Sequence, residues 1–198
     1  MNFDPRPILL EGRHVRLEPL EERHRAALHA AAAGQDEIFQ WFLTDSLAKP
    51  HEMDAWFDDA RRAIAAGTEV AWAVVRRSDG RVVGSTRYLD LRRANRGLEI
   101  GNTWYAREAQ RTAINTESKY LLLRHAFEQL GAARAQLKTD ERNEASRRAI
   151  ARLGAQFEGI LRRYQRRFDG YVRNTAMFAI VAEDWPAVRA RLEAMMLR

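Results

Sequence analysis

At 198 residues the chain is long enough to bury a substantial core and short enough for one domain, and its 46% hydrophobic and 30% charged residues are an ordinary globular balance. The absence of cysteine excludes disulfides, thiolate metal sites and a cysteine acyl-enzyme, while 33 basic against 27 acidic residues leave a net charge of +6, a weak bias toward anionic ligands. No apolar run reaches the roughly 18 residues of a membrane span, and the opening MNFDPRPILL lacks the apolar stretch of a signal peptide, so a cytoplasmic protein with no membrane partner is expected.

Taken in order, Leu9 to Leu20 alternates Val15 and Leu17 with Arg16 and Glu18 and reads as a first strand ending near Pro19. An alanine-rich helix is expected over 21–33, followed by a short helical piece in IFQWFL. Lys49 and Pro50 open a longer helix that places Met53, Trp56, Phe57, Ala60 and Ile64 on one face and stops at Gly67. Three strands follow, over 68–77, 81–90 and 97–105, separated by the turns SDG and RRANRG, which reads as an antiparallel meander. On the third of these, Leu98, Ile100 and Asn102 are expected on one face and Glu99, Gly101, Thr103 and Tyr105 on the other.

The stretch Gln110 to Gly131 is the centre of the reading: a tight loop feeding a long helix. Asn115 is the expected N-cap, Glu117 an acid in the first turn and Gly131 the left-handed stop. Lys119, Leu123, Ala126, Phe127 and Leu130 recur at three- and four-residue spacing, so one face lies on a sheet and the helix start, with its free N–H groups, becomes an anion site. A strand over 134–139, a helix over 143–153 capped by Asn143, strands over 155–161 and 174–181 joined at Asp169 and Gly170, and a closing helix from Asp184 complete the chain.

This succession, together with the loop Gln110, Arg111, Thr112, Ala113, Ile114, Asn115 and the later Asn143-Glu-Ala-Ser146 ahead of Arg152-Leu153-Gly154-Ala155, resembles the GNAT superfamily of N-acetyltransferases, in particular the Rim-type ribosomal-protein N-terminal acetyltransferases. The resemblance implies an α+β fold, with a mixed, mostly antiparallel central sheet of six to seven strands and helices on both faces, forming one acetyltransferase domain over residues 1–198. It also implies acetyl-CoA as acyl donor. Of the five histidines only His24 and His29, five apart and off one face, approach a metal-ligand spacing, and no metal is expected.

By the same resemblance, Gln110, Arg111, Thr112, Ala113, Ile114, Asn115 and Thr116 form the pyrophosphate loop, with Ala113 and Asn115 standing where the family carries glycine. Asn tolerates left-handed angles better than most residues. Lys119 is placed to reach a phosphate, the backbone of Thr103, Trp104 and Tyr105 to face the acyl group, Asn143 to bond the pantetheine arm and Ser146 to lie near the sulfur. Glu99 is the expected base, because a protonated amine has no lone pair and loses its proton near pH 8 or above. Ser146 is the first candidate for the acid that protonates the thiolate. Phe178 stands where a tyrosine would be sought, and Tyr164 and Tyr171 are weaker candidates.

The acceptor is a primary amine, either a protein or peptide N-terminus or a small amine, and a homodimer stays open. A non-catalytic acyl-CoA-binding module of the same fold is the alternative. The basic run Arg162, Arg163, Arg166 and Arg167 raises nucleic acid as a third partner class, but no nucleic-acid motif accompanies it.

Overall fold

The computed structural model describes residues 3–197. One eight-stranded sheet runs through it: β1 (Leu10–Glu11), β2 (Val15–Pro19), β3 (Val70–Arg76), β4 (Val82–Arg92), β5 (Gly97–Tyr105), β6 (Arg134–Asp140), β7 (Gln156–Arg166) and β8 (Val172–Val181), in the order β1-β2-β3-β4-β5-β6-β8-β7. Every pairing is antiparallel except β5 with β6. The single strand expected over 9–20 is two, because Gly12-Arg13-His14 folds into a hairpin; this accounts for the strand beyond the six to seven expected.

Five α-helices flank the sheet: α1 (Arg25–Ala32), α2 (Pro50–Ala65), α3 (Ala113–Arg124), α4 (Glu144–Leu153) and α5 (Trp185–Met196). On one face α1 and α2 close a core of Leu28, Phe39, Met53, Trp56, Phe57 and Trp104. The amphipathic spacing of α2 is used directly: Met53, Trp56, Phe57 and Ala60 are buried, with Ile64 packed at the margin. Each large side chain of this kind removed from water contributes about 1.5–3 kcal/mol. On the other face α3, α4 and α5 cover Trp72, Tyr88, Leu98, Ile100 and Tyr105.

The α3 region departs from expectation at its start. The N-cap is Thr112, whose Oγ1 accepts from Ile114 N at 3.3 Å, rather than Asn115, which lies inside the helix. Glu117 is therefore past the first turn, and it does not compensate the dipole. It is buried, and its two carboxylate oxygens accept the backbone N–H groups of Arg13, His14 and Val15 at 2.7, 2.6 and 2.8 Å. Gly12 makes room for this: a Cβ there would sit 2.4 Å from Glu117 Cδ. At the far end the helix widens into a π-helical stretch, His125–Gln129, before Gly131 turns it off at φ 63°.

The alternation on β5 also breaks. Ser85 pairs Trp104 while Arg87 pairs Gly101, so β5 carries one extra residue, and Asn102 absorbs it at φ 48°. Beyond this bulge the faces exchange. Thr103 and Tyr105 point toward α3, and Trp104 points toward α2; Thr103 and Tyr105 do not share the Glu99 face as strict alternation requires.

Candidate active site

Strands β5 and β6 pair only over Gly97–Glu99 with Arg134–Gln136, then part. Beyond that point the β6-facing backbone groups of β5 have no strand partner, and a cleft of about 710 Å³ opens between the two strands. The bulge at Asn102 sits at its mouth, where Trp56 Nε1 donates to Asn102 Oδ1 at 3.1 Å. The side chains or backbone of Glu99, Thr103, Trp104, Tyr105, Gln110, Asn115, Lys119, Asn143 and Ser146 all line this cleft, so residues from β5, α3 and α4 predicted to act together are brought together.

Glu99 is 2% exposed. Its Oε2 accepts from Gln136 Nε2 at 3.1 Å and lies 2.8 Å from Lys138 Nζ, both on β6. The buried Arg87 of the neighbouring strand does not pair with it, but bonds Glu69 at 2.9 Å and stacks on Trp56. A Cβ at Gly101 would fall 2.8 Å from Glu99 Oε1, so the glycine keeps that second oxygen clear. Lys138 and Gln136 were not singled out from sequence. The signal was present: both alternate with buried Ala135 and Leu137 on the strand expected beside Glu99.

Loop 106–112 is held by its own side chains. Gln110 Nε2 donates to Tyr105 O at 3.0 Å, and Thr112 Oγ1 donates to Ala109 O at 2.7 Å. The left-handed residue of the loop is Arg111, at φ 58°, and it is exposed. Ala113 and Asn115 are right-handed helical residues, so the absence of glycine there imposes no strain. Of the N–H groups that begin α3 without an intrahelical partner, Ile114 N is capped by Thr112. Thr112, Ala113 and Ile114 border a second hollow, of about 530 Å³, with Arg13, Arg76 and Arg77 on its wall. Thr116 is buried and accepts from Arg152 Nη2 of α4 at 3.1 Å, a basic contact at the helix start that sequence reading missed.

Lys119 does not sit at the helix start, where a phosphate would be reached. It is buried beneath β5, where Nζ donates to Thr103 Oγ1 at 2.8 Å and Thr103 Oγ1 meets Thr86 Oγ1 at 2.8 Å. With no carboxylate beside it, burial lowers its pKa to about 7. The Trp104 ring packs edge-on to Phe39 and Trp56. Burial raises the Tyr105 phenol, which keeps its proton.

Asn143 caps α4 by accepting Ser146 N on Oδ1 at 3.0 Å, which leaves its Nδ2 as the group free to donate. Phe178 is buried against Phe157 at a ring distance of 5.2 Å. Tyr164 lies 5.4 Å from Lys138 Nζ and Tyr171 lies 4.2 Å from the Arg142 guanidinium, both as cation–π partners. Arg162, Arg163 and Arg166 lie exposed on the outer strand β7. Among the described residues no group of three or more His, Cys, Asp or Glu is placed to hold a metal, and no helix is long and apolar enough to cross a membrane.

Residues 14–156 match the model of the acetyltransferase (GNAT) domain family. A GCN5-related N-acetyltransferase from Brucella melitensis superposes with a TM-score of 0.91 at 31% identity, over 98% of this chain and 87% of that one. RimJ of Mycobacterium smegmatis, solved in complex with CoA-disulfide, shares the fold with a TM-score of 0.82 at 24% identity, over 96% and 95% of the two chains. The uncharacterized N-acetyltransferase YoaA of Bacillus subtilis (strain 168) is 22% identical over 87% of this chain and 96% of its own.

Proposed function

The chain belongs to the acetyltransferase (GNAT) domain family, and from that premise we propose that it moves the acetyl group of acetyl-CoA onto a primary amine by direct attack, the thioester and the amine meeting in the 710 Å³ cleft. The observation that carries the reading is the early parting of β5 and β6, which exposes the backbone of Thr103, Trp104 and Tyr105 beside the start of α3. Unpaired strand backbone next to a helix N-terminus suits an amide-bearing arm that ends in a diphosphate.

In this reading the open amides of Ala113 and Asn115, with Gln110, Arg111 and Thr116 around them and Arg152 alongside, hold the phosphates. Asn143 Nδ2 bonds the pantetheine arm. Acetyl-CoA supplies the activated thioester. Glu99 takes the proton of the amine on Oε1, directly or through water, while Lys138 and Gln136 hold Oε2 in place. A backbone N–H in the bulged segment of β5 stabilises charge on the acyl oxygen, and Ser146 returns a proton to the departing thiolate. The N–C bond forms as the C–S bond breaks, and no covalent enzyme adduct is needed. The acceptor is a protein or peptide N-terminus or a small amine.

Thermal unfolding with acetyl-CoA tests the reading. A ligand at 100 times its dissociation constant adds about 2.7 kcal/mol, which raises the melting temperature of a chain this size by roughly 5–10 °C. Thiol release in the presence of an amine panel reports the chemistry. An unmoved melting temperature at millimolar acetyl-CoA overturns the assignment, and a shift without thiol release favours the non-catalytic module.

A further inference from the structure

Six charged residues line the cleft: Glu37, Glu99, Arg107, Lys119, Lys138 and Arg173. Glu37 pairs with Arg107, and Glu99 with Lys138. Two cations remain. Lys119 lies under β5 on the α3 side, hydrogen-bonded to Thr103. Arg173, on β8, lies on the wall that also carries Trp41 and Gln165.

Arg173 is only 6% exposed, yet no carboxylate of the described residues stands within ion-pair distance of it. Its Nη1 donates to the Trp41 carbonyl at 3.2 Å and its Nη2 to Gln165 Oε1 at 2.9 Å, both neutral acceptors, and its Nε is buried with no partner. The two acids whose charge reaches it each already hold another cation: Asp140, at the end of β6, is gripped by Arg142 through two bonds of 2.9 Å, and Glu99 lies 2.8 Å from Lys138 Nζ. A guanidinium cannot shed its charge, and a buried cation is kept without a counter-ion only at a cost. Its planar fork matches a carboxylate.

We propose that Arg173 receives a carboxylate of the acceptor, so that the amine acetylated in this cleft belongs to a molecule carrying an acid group: a free amino acid, or a peptide whose first residue has an acidic side chain. The inference rests on the acetyl-transfer reading for the identity of the amine, and adds the chemical class of the acceptor. Glu99 and Arg173 then read the two ends of one zwitterionic group, the first taking its proton and the second its charge.

The test uses matched acceptors with the full chain saturated in acetyl-CoA: amino acids against their amides, and peptides beginning with Asp or Glu against those beginning with Asn or Gln. The acid member of one pair is expected to show a kcat/KM about 10-fold higher or more, the size of one charge-assisted hydrogen-bonded pair. Which pair shows it identifies the source of the carboxylate. Arg173→Gln loses the preference and Arg173→Lys keeps part of it.

Gln165→Glu keeps Arg173 and gives it a permanent internal carboxylate. It is expected to erase the preference by raising KM for the acid member more than for the neutral member. Equal turnover of acid and neutral acceptors by the wild type, or a preference that survives Gln165→Glu, overturns the proposal. If acetyl-CoA itself does not bind, the transfer reading falls separately. The carboxylate site is then judged by whether the acids, and not the amides, raise the melting temperature of the protein alone and cease to do so in Gln165→Glu.

Discussion

Lys138 Nζ lies 2.8 Å from Glu99 Oε2, and Gln136 Nε2 donates to the same oxygen at 3.1 Å, so both β6 donors hold one edge of the carboxylate and leave the other edge to the cleft. One oxygen is spent on position and its neighbour is kept for chemistry. The same pairing ties the two strands together just where their backbone ladder stops.

Glu99→Gln is expected to leave the acetyl-CoA-induced rise in melting temperature intact and to lower kcat by about 10²–10⁴, the range for a positioned general base. Because it also strips Lys138 of its partner, the single variant loses stability. The double variant Glu99→Gln with Lys138→Met removes the orphaned ammonium and recovers most of that stability without recovering turnover. A double variant that turns over like the wild type removes Glu99 from the reaction.

Gly101→Ala probes the free edge of the same carboxylate. The new methyl meets Glu99 Oε1 and Leu89 Cδ1, each at 2.8 Å, and so forces one of them aside. The expected cost is about 1–3 kcal/mol of stability from overpacking, with kcat reduced and the KM for acetyl-CoA unchanged. Steady-state kinetics of a variant confirmed folded by circular dichroism checks it.

Glu117 is expected to matter for folding and not for the chemistry. Removing its charge in Glu117→Gln turns one acceptor oxygen into a donor facing backbone N–H groups, at a cost of about 2–4 kcal/mol, or roughly 5–15 °C of melting temperature. Gly12→Ala is expected to have a similar effect, since its Cβ would overlap the Glu117 carboxylate at 2.4–2.7 Å. Thermal denaturation of both variants decides the matter.

Lys119 makes stability depend on pH. Burial lowers its pKa from the ordinary lysine value of 10.5 to about 7, so between these values the unfolded chain binds a proton that the folded chain does not. Its penalty is therefore full below pH 7 and is relieved as pH rises toward 10. Lys119→Met is expected to be more stable than the wild type by a few kcal/mol at pH 6, with the gap closing by pH 10. Parallel unfolding curves across that range test it; a gap that widens with pH contradicts the assignment.

Much of the site is written in local pattern. The strand bearing Glu99, the loop at Gln110 and the Asn143 cap each follow from turn residues and periodicity within a dozen positions. What sequence reading missed depends on partners far away or on a single inserted residue. The extra residue at Asn102 reverses the faces of Thr103 and Tyr105, and nothing in GLEIGNTWY marks it except an asparagine able to adopt φ 48°. Glu117 reads as a dipole-compensating acid because its true partners lie 102–104 positions earlier. Arg173 stands just after the basic run that raises nucleic acid as a partner class; only the structure separates it from that run, at 6% exposure.

The hold of Glu117 on the N-terminal hairpin also bears on the order of assembly. The amides of Arg13, His14 and Val15 leave the ribosome early, and their acceptor follows only after some hundred more residues have been made. A nascent fragment ending before α3 thus carries a hairpin with three unsatisfied donors, a long-range closure of the kind that slows folding. Docking of the first strand pair and completion of the helix that opens onto the cleft become one late event, so a chain released too soon is left with both undone.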